Sequence, residues 1–506
     1  MPKLPTIIVT GASGFIGSHL LEAIKDEFYV YALARRSQKE AGIPIHPHIH
    51  WIRVDIKDEQ SVKRVMTEIK NNTGADYLLH LAGYYDFSYK DNPEYTKTNV
   101  EGTFHVLEHA KQLDLKLFMF ASSLTVSKFP ESGARLNEES PANASFPYAS
   151  SKIKGEKLVK QYQDYSPGAI IRSAAIFSDW CEYAPLYYFL ATWLSRSWKS
   201  RIIAGQGKSA IPYLHINDLI TFIRKLMKNS QSVPKCGVYI ASPDDSASQF
   251  DLYTIAGRYF YSKSLRVYNI PKSLAYLGIL LLNILGRLVG KQPFEKLWML
   301  KYVDLEMPID ASITRRKLGW SPTPRYHIKR RLLFIIENMK SNPYDWLRKN
   351  EAAAKSTVSE RPNFKIYTAM VTLKDIIVDK IFNEMTSPER KHLFQTYQDL
   401  EQETLKARIE TMYRLLETAI RIGDRLHLLS YAQSLAKERF LEGFYSDEVS
   451  YAVRCTGLRT VETLLSKPDL KAMEQRVHDQ VMMTIQIVED EIEETFDKLI
   501  KNSTST

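Results

Sequence analysis

The stretch TIIVTGASGFIGSHLLEAI, beginning at Thr6, constrains the fold of this chain more than any other. An apolar, β-branched run ends at Thr10. Gly11, Gly14 and Gly17 follow at three-residue spacing, and a helix-like segment begins. The first glycine permits a tight turn. The second lets backbone N–H groups approach a pyrophosphate, and the third lets the helix pack closely on the strand. The helix N-terminus adds the positive end of its dipole.

The chain up to about residue 180 continues in the same rhythm. The apolar runs FYVYALA, HWIRVDI, YLLHLAG, KLFMFASS and GAIIRSAAIF alternate with helix-length amphipathic stretches. This order predicts an α/β fold: a doubly wound parallel sheet covered by helices on both faces. Residues 181–346 are less regular. They hold a strand-like GVYIASP and an apolar run from Leu274 to Val289. Residues 1–346 thus form one domain, with a cofactor-binding core over about 1–180. The polar stretch LRKNEAAAKSTVSERP, 347–362, reads as a linker.

Residues 363–506 read as an all-α helical bundle of four or five helices. Ser387-Pro388-Glu389 opens one helix. That helix carries Leu393, Tyr397, Leu400, Ile409, Met412, Leu416 and Ile420, and it breaks at Gly423-Asp424. A second helix runs from about Arg425 to Leu441 and stops at Gly443. Ser446 caps a third, and Pro468 opens a fourth that carries Leu470, Val477, Val481, Val488, Ile492 and Phe496.

Charge divides the chain the same way. Residues 1–350 hold 47 Lys/Arg and 32 Asp/Glu, a balance of +15, whereas the remainder carries −5. A basic front half suits a phosphate-bearing cofactor or anionic lipid. No RNA- or DNA-binding motif accompanies it, so no nucleic-acid partner is expected. The 44% hydrophobic and 25% charged content excludes a disordered, collagen-like or many-helix membrane chain. Cys181, Cys236 and Cys455 lie far apart with no CxxC, which supports neither a disulfide framework nor a thiolate zinc site. A reducing, cytoplasmic setting fits, and no basic-then-apolar leader is evident.

Candidate chemistry concentrates in FPYASSKIKGE. Tyr148 and Lys152 stand one helical turn apart, so they share a face. A nearby ammonium lowers a phenol's pKa and equips it to move a proton to or from a substrate oxygen. Upstream, Ser122 and Ser123 end a predicted strand, and either hydroxyl could hold the same oxygen. The second strand ends in Ala34-Arg35-Arg36, where an NAD-selective site usually places an acid for the ribose 2′-hydroxyl. Guanidinium groups suit a 2′-phosphate, so NADP is the favoured cofactor and NAD the alternative. HPHIH, 46–50, places histidines on alternate residues. With no carboxylate or cysteine near it in sequence, it reads as a solvated loop, and no metal site is expected.

With these residues in place, the chain resembles the extended short-chain dehydrogenase/reductase family, which includes the NAD-dependent epimerases and dehydratases. The resemblance runs from residue 6 to about 325. It rests on TGASGFIG, Asp55-Ile56, HLAG at 80–83, NVEGT at 99–103, ASSLTV, YASSK, Ile171-Arg172, PYLHINDL and KLGWSP. It implies a Rossmann-like core followed over 181–346 by a small α/β substrate-binding lobe, with Ser123, Tyr148 and Lys152 as the catalytic residues. Ser123, rather than Ser122, falls at the family's serine position. The cofactor would contact Gly11, Ser13, Gly14, Phe15, Ile16 and Gly17 at the loop, with Asp55 and Ile56 flanking the adenine. Leu81, Ala82 and Gly83 would line the ribose and pyrophosphate, Asn99 would orient the lysine through water, and Lys152 would also hold the nicotinamide ribose.

Departures from the family shape the substrate expectation. Leu124-Thr125 stand where sugar dehydratases carry Asp-Glu, Ala175 stands where epimerases usually carry Asn, and VSK replaces VYG. The chain therefore looks closer to the 3β-hydroxysteroid dehydrogenase-like branch. The expected activity is NADP-dependent interconversion of a hydroxyl and a keto group on a small, apolar, lipid- or steroid-like substrate. A nucleotide-sugar epimerase with tightly held NAD is the enzyme alternative, and a redox-sensing scaffold signalling through the bundle is the non-enzyme alternative. His215 and Asp218 read as structural. The run at 274–290 is short for a membrane span, with Lys272, Arg287, Lys291 and Lys296 around it. It reads as a cover over the substrate pocket or as a peripheral membrane contact. The segment YAQSLAKERFLEGFYSDEV is similar to helical sensor or dimerisation domains of bacterial stress-signalling regulators, and a homodimer is expected.

Overall fold

The computed structural model describes residues 4–504 apart from 88, 196–197, 264, 289–294, 351–361 and 423–425. The chain divides into two compact units, Met1–Ala354 and Lys355–Thr506. Most of the expected linker, 351–361, lies outside the described residues. Its first residues belong to a helix, Pro343–Lys349. The expected break at Gly423-Asp424 also lies outside the described residues.

The first unit is built on seven strands: β1 (Thr6–Thr10), β2 (Tyr29–Ala34), β3 (Ile49–Arg53), β4 (Tyr77–His80), β5 (Leu117–Ser123), β6 (Gly168–Ser173) and β7 (Cys236–Ala241). Their order across the sheet is β7-β6-β5-β4-β1-β2-β3, with every pair parallel. The Rossmann-like expectation holds, and each of the strand-like runs FYVYALA, HWIRVDI, YLLHLAG, KLFMFASS and GAIIRSAAIF holds a strand of this sheet. Successive side chains alternate between two apolar layers. Ile7, Val9, Leu79, Leu117, Met119 and Ile171 face one, and Ile8, Leu78, Phe118, Phe120 and Ile170 face the other. Strand order reverses between β1 and β4. Open α/β sheets bind their ligands outside the carboxyl ends of the strands at such a point.

Smaller two-stranded pairs build the lobe beyond the sheet. Ala175–Phe177 pairs with Tyr213–His215, and Ile202–Ala204 pairs with Tyr268–Ile270. Among the described residues no helix is long and apolar enough to cross a membrane.

The second unit is helical throughout. Its long helices are Pro362–Thr386, Gln402–Ile422, Leu426–Leu441, Ser446–Leu465 and Glu474–Thr504. Leu416, Leu464, Val477, Val481, Val488 and Ile492 are among its fully buried core. The helix expected from Ser387 to Ile420 is instead three pieces: a 3-10 turn Pro388–Leu393, a short helix Gln395–Gln398 and the long helix from Gln402. Tertiary contacts override the local periodicity. Glu448 accepts from the backbone N–H groups of Thr396 and Tyr397, at 2.7 and 3.1 Å, and so caps a new helix start.

Candidate active site

The glycine loop leaves β1 with Gly11 at φ +69°, in the left-handed region that favours glycine. A Cβ on Gly11 would meet the Ala82 backbone at 2.7 Å, and one on Gly17 would meet the carbonyls of Gly11 and Ala12 at 2.6 and 2.7 Å. Gly14 is the N-cap of the first helix, α1 (Phe15–Ile24), and donates to the Gly11 carbonyl at 2.9 Å. The loop is therefore as tight as its glycines allow, with a helix N-terminus directly behind it.

Arg35 and Arg36 lie exposed just past β2. The Arg36 guanidinium donates to the Ser13 carbonyl, which brings it over the glycine loop, and the Arg36 carbonyl accepts from Trp51 Nε1 at 3.0 Å. Past β3, Asp55 accepts from the Lys57 backbone, and Ile56 is buried against Gly102. Leu81, Ala82 and Gly83 follow β4 at the switch point.

Tyr148 and Lys152 lie on helix α2 (Pro147–Gln161), as their spacing implied. Glu156, one further turn along, shares their face. It receives the Arg172 guanidinium of β6 through Nε at 3.0 Å and NH2 at 2.9 Å, and Arg172 and Glu156 side chains are only 5% and 3% exposed. This bidentate pair fixes the helix, and hence Tyr148 and Lys152, against the sheet. Neither partner was singled out for a role by the sequence reading. The four-residue step from Lys152 to Glu156 was the available signal.

The two serines separate cleanly. Ser122 Oγ donates to buried Glu156 at 2.6 Å and belongs to the anchor. Ser123 caps the turn Leu124–Val126, and its Oγ lies 2.9 Å from Thr125 Oγ1 and accepts from the Thr125 N–H at 3.2 Å. Ser123 and Thr125 thus form a hydroxyl pair at the end of β5, and Thr125 is a site neighbour the sequence reading did not credit.

Lys152 differs from its expected role in one respect. Its Nζ donates to the Ala121 carbonyl at 2.8 Å and lies 6.0 Å from the centre of the Tyr148 ring. Burial lowers its pKa to about 8, with Glu156 opposing. Tyr148 moves the other way: burial raises it well above the usual phenol value, with Tyr95 adding to the rise. The expected depression of the phenol is therefore not present here. Desolvation outweighs an ammonium that points at a carbonyl.

Asn99 sits in a π-helical turn, Lys97–Glu101, and its Nδ2 donates to the Tyr84 carbonyl and to Ser151 Oγ, both at 2.9 Å. Its Oδ1 accepts from the Tyr84 N–H at 2.5 Å. A Cβ on Gly83 would lie 3.4 Å from both Asn99 Oδ1 and Lys152 Nζ, so the two polar groups converge on that glycine. Beneath them His80 is fully buried between the Thr10 and Thr103 hydroxyls, at 2.8 and 3.0 Å. Burial, reinforced by Lys152, drops its pKa to about 3, which keeps it neutral.

Aromatic side chains surround Tyr148. Tyr85 meets it edge-to-face at 4.8 Å. Tyr89 stacks on Phe146 at 4.5 Å and on Trp298 at 3.6 Å. Tyr89 is itself a non-glycine residue at φ +59°. This wall was missed because its members come from three distant segments.

His215 and Asp218, expected to be structural, make contacts within the lobe. His215 caps a helix and stacks on Tyr326, and Asp218 accepts from Thr323 N and Oγ1 at 2.9 and 2.7 Å. The HPHIH stretch differs in one respect: Asp26, distant in sequence, brings its carboxylate 3.4 Å from His46 Nε2, with His48 alongside. All three cysteines are free.

Known proteins resemble the N-terminal unit. Residues 7–241 match the model of the NAD dependent epimerase/dehydratase family. A dTDP-glucose 4,6-dehydratase from Mycolicibacterium smegmatis is 22% identical, over 68% of this chain and 94% of its own length. An N-acetyl-alpha-D-glucosaminyl-diphospho-ditrans,octacis-undecaprenol 4-epimerase from Escherichia coli O157:H7 is 23% identical, over 56% of this chain and 81% of its own. Among solved structures, the UDP-glucuronic acid 4-epimerase of Bacillus cereus, in a complex with NAD, superposes with a TM-score of 0.52. It is 18% identical and covers 67% of this chain and 99% of its own. That superposition speaks to fold.

Proposed function

The N-terminal unit belongs to the NAD dependent epimerase/dehydratase family, and from that premise we propose that it interconverts a hydroxyl and a keto group on a sugar carried by a diphosphate. The observation that carries this reading is the convergence of Lys152 and Asn99 on Gly83, with Tyr148 one helical turn before Lys152 and the Ser123–Thr125 pair at the end of the neighbouring strand. The tight loop and the open approach at Gly83 fit a dinucleotide, which supplies or accepts hydride when bound.

Each side chain then has a task. Tyr148 transfers the proton at the substrate oxygen, and the Ser123 hydroxyl holds that oxygen. Lys152, held by the Ala121 carbonyl, hydrogen-bonds the nicotinamide ribose. Asn99, locked by Tyr84 and Ser151, keeps the polar floor in place. Arg36, over the glycine loop, and Arg35 beside it favour a 2′-phosphate, so NADP is preferred over NAD.

The sugar reading replaces the apolar-substrate expectation as the leading one because the relatives named above act on sugars. The aromatic wall around Tyr148 keeps an apolar secondary alcohol as the second reading. Incubating the enzyme with NAD(P) and a panel of UDP- and dTDP-hexoses, with products separated by chromatography, distinguishes the two. An inverted or oxidised sugar supports the proposal. Turnover of apolar secondary alcohols alone would sink it.

A further inference from the structure

The helix Lys272–Leu288 inverts the usual rule for a surface helix. Ala275 is buried, and Ile279 and Leu282 are half-buried beneath it, so one stripe faces the protein. The opposite stripe is apolar too: Leu274, Tyr276, Leu277, Leu280 and Leu281 are all exposed, with Leu277 at 59% and Leu281 at 58%. Single exposed leucines are ordinary, whereas a contiguous row on one helix marks an interaction surface.

What surrounds the row identifies the occupant. The strand before the helix, Tyr268–Ile270, pairs with Ile202–Ala204, which brings in the turn Trp198–Arg201. Trp198 is 72% and Tyr268 61% exposed. Their rings pair an apolar body with a polar tip, the side-chain type enriched where hydrocarbon meets headgroups. Basic side chains flank the row on the same segments. Lys199, Lys263, Arg266 and Lys272 are exposed. A protein partner could match the leucines, but exposed lysines and an arginine beside an apolar row match an anionic bilayer.

We propose that this facet seats the N-terminal unit on an anionic lipid surface. The helix lies in the headgroup layer and does not span it. Lys272 Nζ donates to the Val303 carbonyl at 2.7 Å, and the helix packs on the turn Leu297–Tyr302. That turn carries Trp298, whose ring stacks on Tyr89 in the wall around Tyr148. The lipid-facing helix and the active-site wall are therefore joined, and a substrate arriving from the membrane reaches the cleft along it. The proposal stands independently of the sugar chemistry proposed above.

Co-sedimentation of the full chain with vesicles tests it. The vesicles are phosphatidylcholine alone, or phosphatidylcholine with phosphatidylglycerol. Binding to the anionic vesicles is expected, falling about fivefold for each basic residue removed in Lys199→Ala and Arg266→Ala. Leu277→Asp with Leu281→Asp should lower it at least tenfold while circular dichroism and NAD(P)H binding stay as in the parent. Failure of the parent chain to bind anionic vesicles overturns the proposal, as does binding that the double aspartate variant leaves unchanged. Light scattering that shows a dimer in the parent and a monomer in the double aspartate variant would assign the row to a second copy instead.

Discussion

In the N-terminal unit the perturbed groups converge. Lys152, Tyr148 and His80 gather where β4 and β5 end, their pKa values displaced mainly by burial, and Asn99 and Ser123 stand among them. In the bundle several buried polar groups join one helix to the next. Arg454 holds Glu489 at 3.0 and 2.9 Å, Tyr413 donates to the Met370 carbonyl at 2.7 Å, and Glu417, pushed up to about 7 by burial, stands apart from both. Both units bury charge. In the first unit Lys152 and Asn99 meet at the exposed Gly83, beside the Ser123–Thr125 pair, a convergence of the kind catalysis needs. Pairs that join one helix to the next fix register and packing.

The largest expected effect comes from the convergent spot. Tyr148→Phe removes the proton-transferring hydroxyl and keeps the ring, so turnover should fall about 10²–10⁴-fold while cofactor affinity holds. Steady-state rates and NADPH fluorescence titration check both halves, and near-full turnover would dissolve the contrast between the units.

Arg172→Ala asks whether buried charge in the first unit is also structural. It leaves the Glu156 carboxylate buried without its counter-charge, with the Ser122 hydroxyl still donating to it, at a cost of about 3–5 kcal/mol. Thermal unfolding should show the N-terminal transition lowered and the helical unit's transition unmoved. A shift of both would mean that the units unfold together.

A smaller effect is expected at the adenosine end. Arg35→Ala with Arg36→Ala should weaken NADPH by the worth of a charge-assisted contact, about 1.5–3 kcal/mol, and leave NADH nearly unchanged. Equal losses for the two cofactors would show that Arg36 serves only the Ser13 carbonyl.

The subtlest effect is a pH dependence. Lys152 titrates at about 8 in the folded chain against 10.5 unperturbed. Between those values the unfolded chain holds more protons, so stability rises with pH across that window. Lys152→Met should remove this rise, and paired denaturant titrations at pH 8 and pH 10 would detect it. An unaltered rise in the variant would assign it to other groups.

The legible parts of this molecule were those written locally. The strands announced themselves as short apolar runs, and the loop and the Tyr148–Lys152 face are fixed by spacings of three and four residues. What escaped the reading depends on residues far apart in sequence. Glu448 breaks a helix at Gln395 from some fifty positions away. Arg172 finds Glu156 across the sheet, and Trp298 reaches Tyr89 from the far lobe. Lys152 was assigned by pattern, but its direction toward Ala121 depends on how the helix lies on β5, which no local spacing encodes.

The claim that chemistry resides in the first unit alone is tested most directly by cutting the chain at the boundary after Ala354 and titrating each fragment with NADPH. The account predicts that the 1–354 fragment binds with the affinity of the full chain and that the 355–506 fragment, though helical, binds none. Cofactor binding by the helical fragment, or its loss from a folded 1–354 fragment, would contradict it.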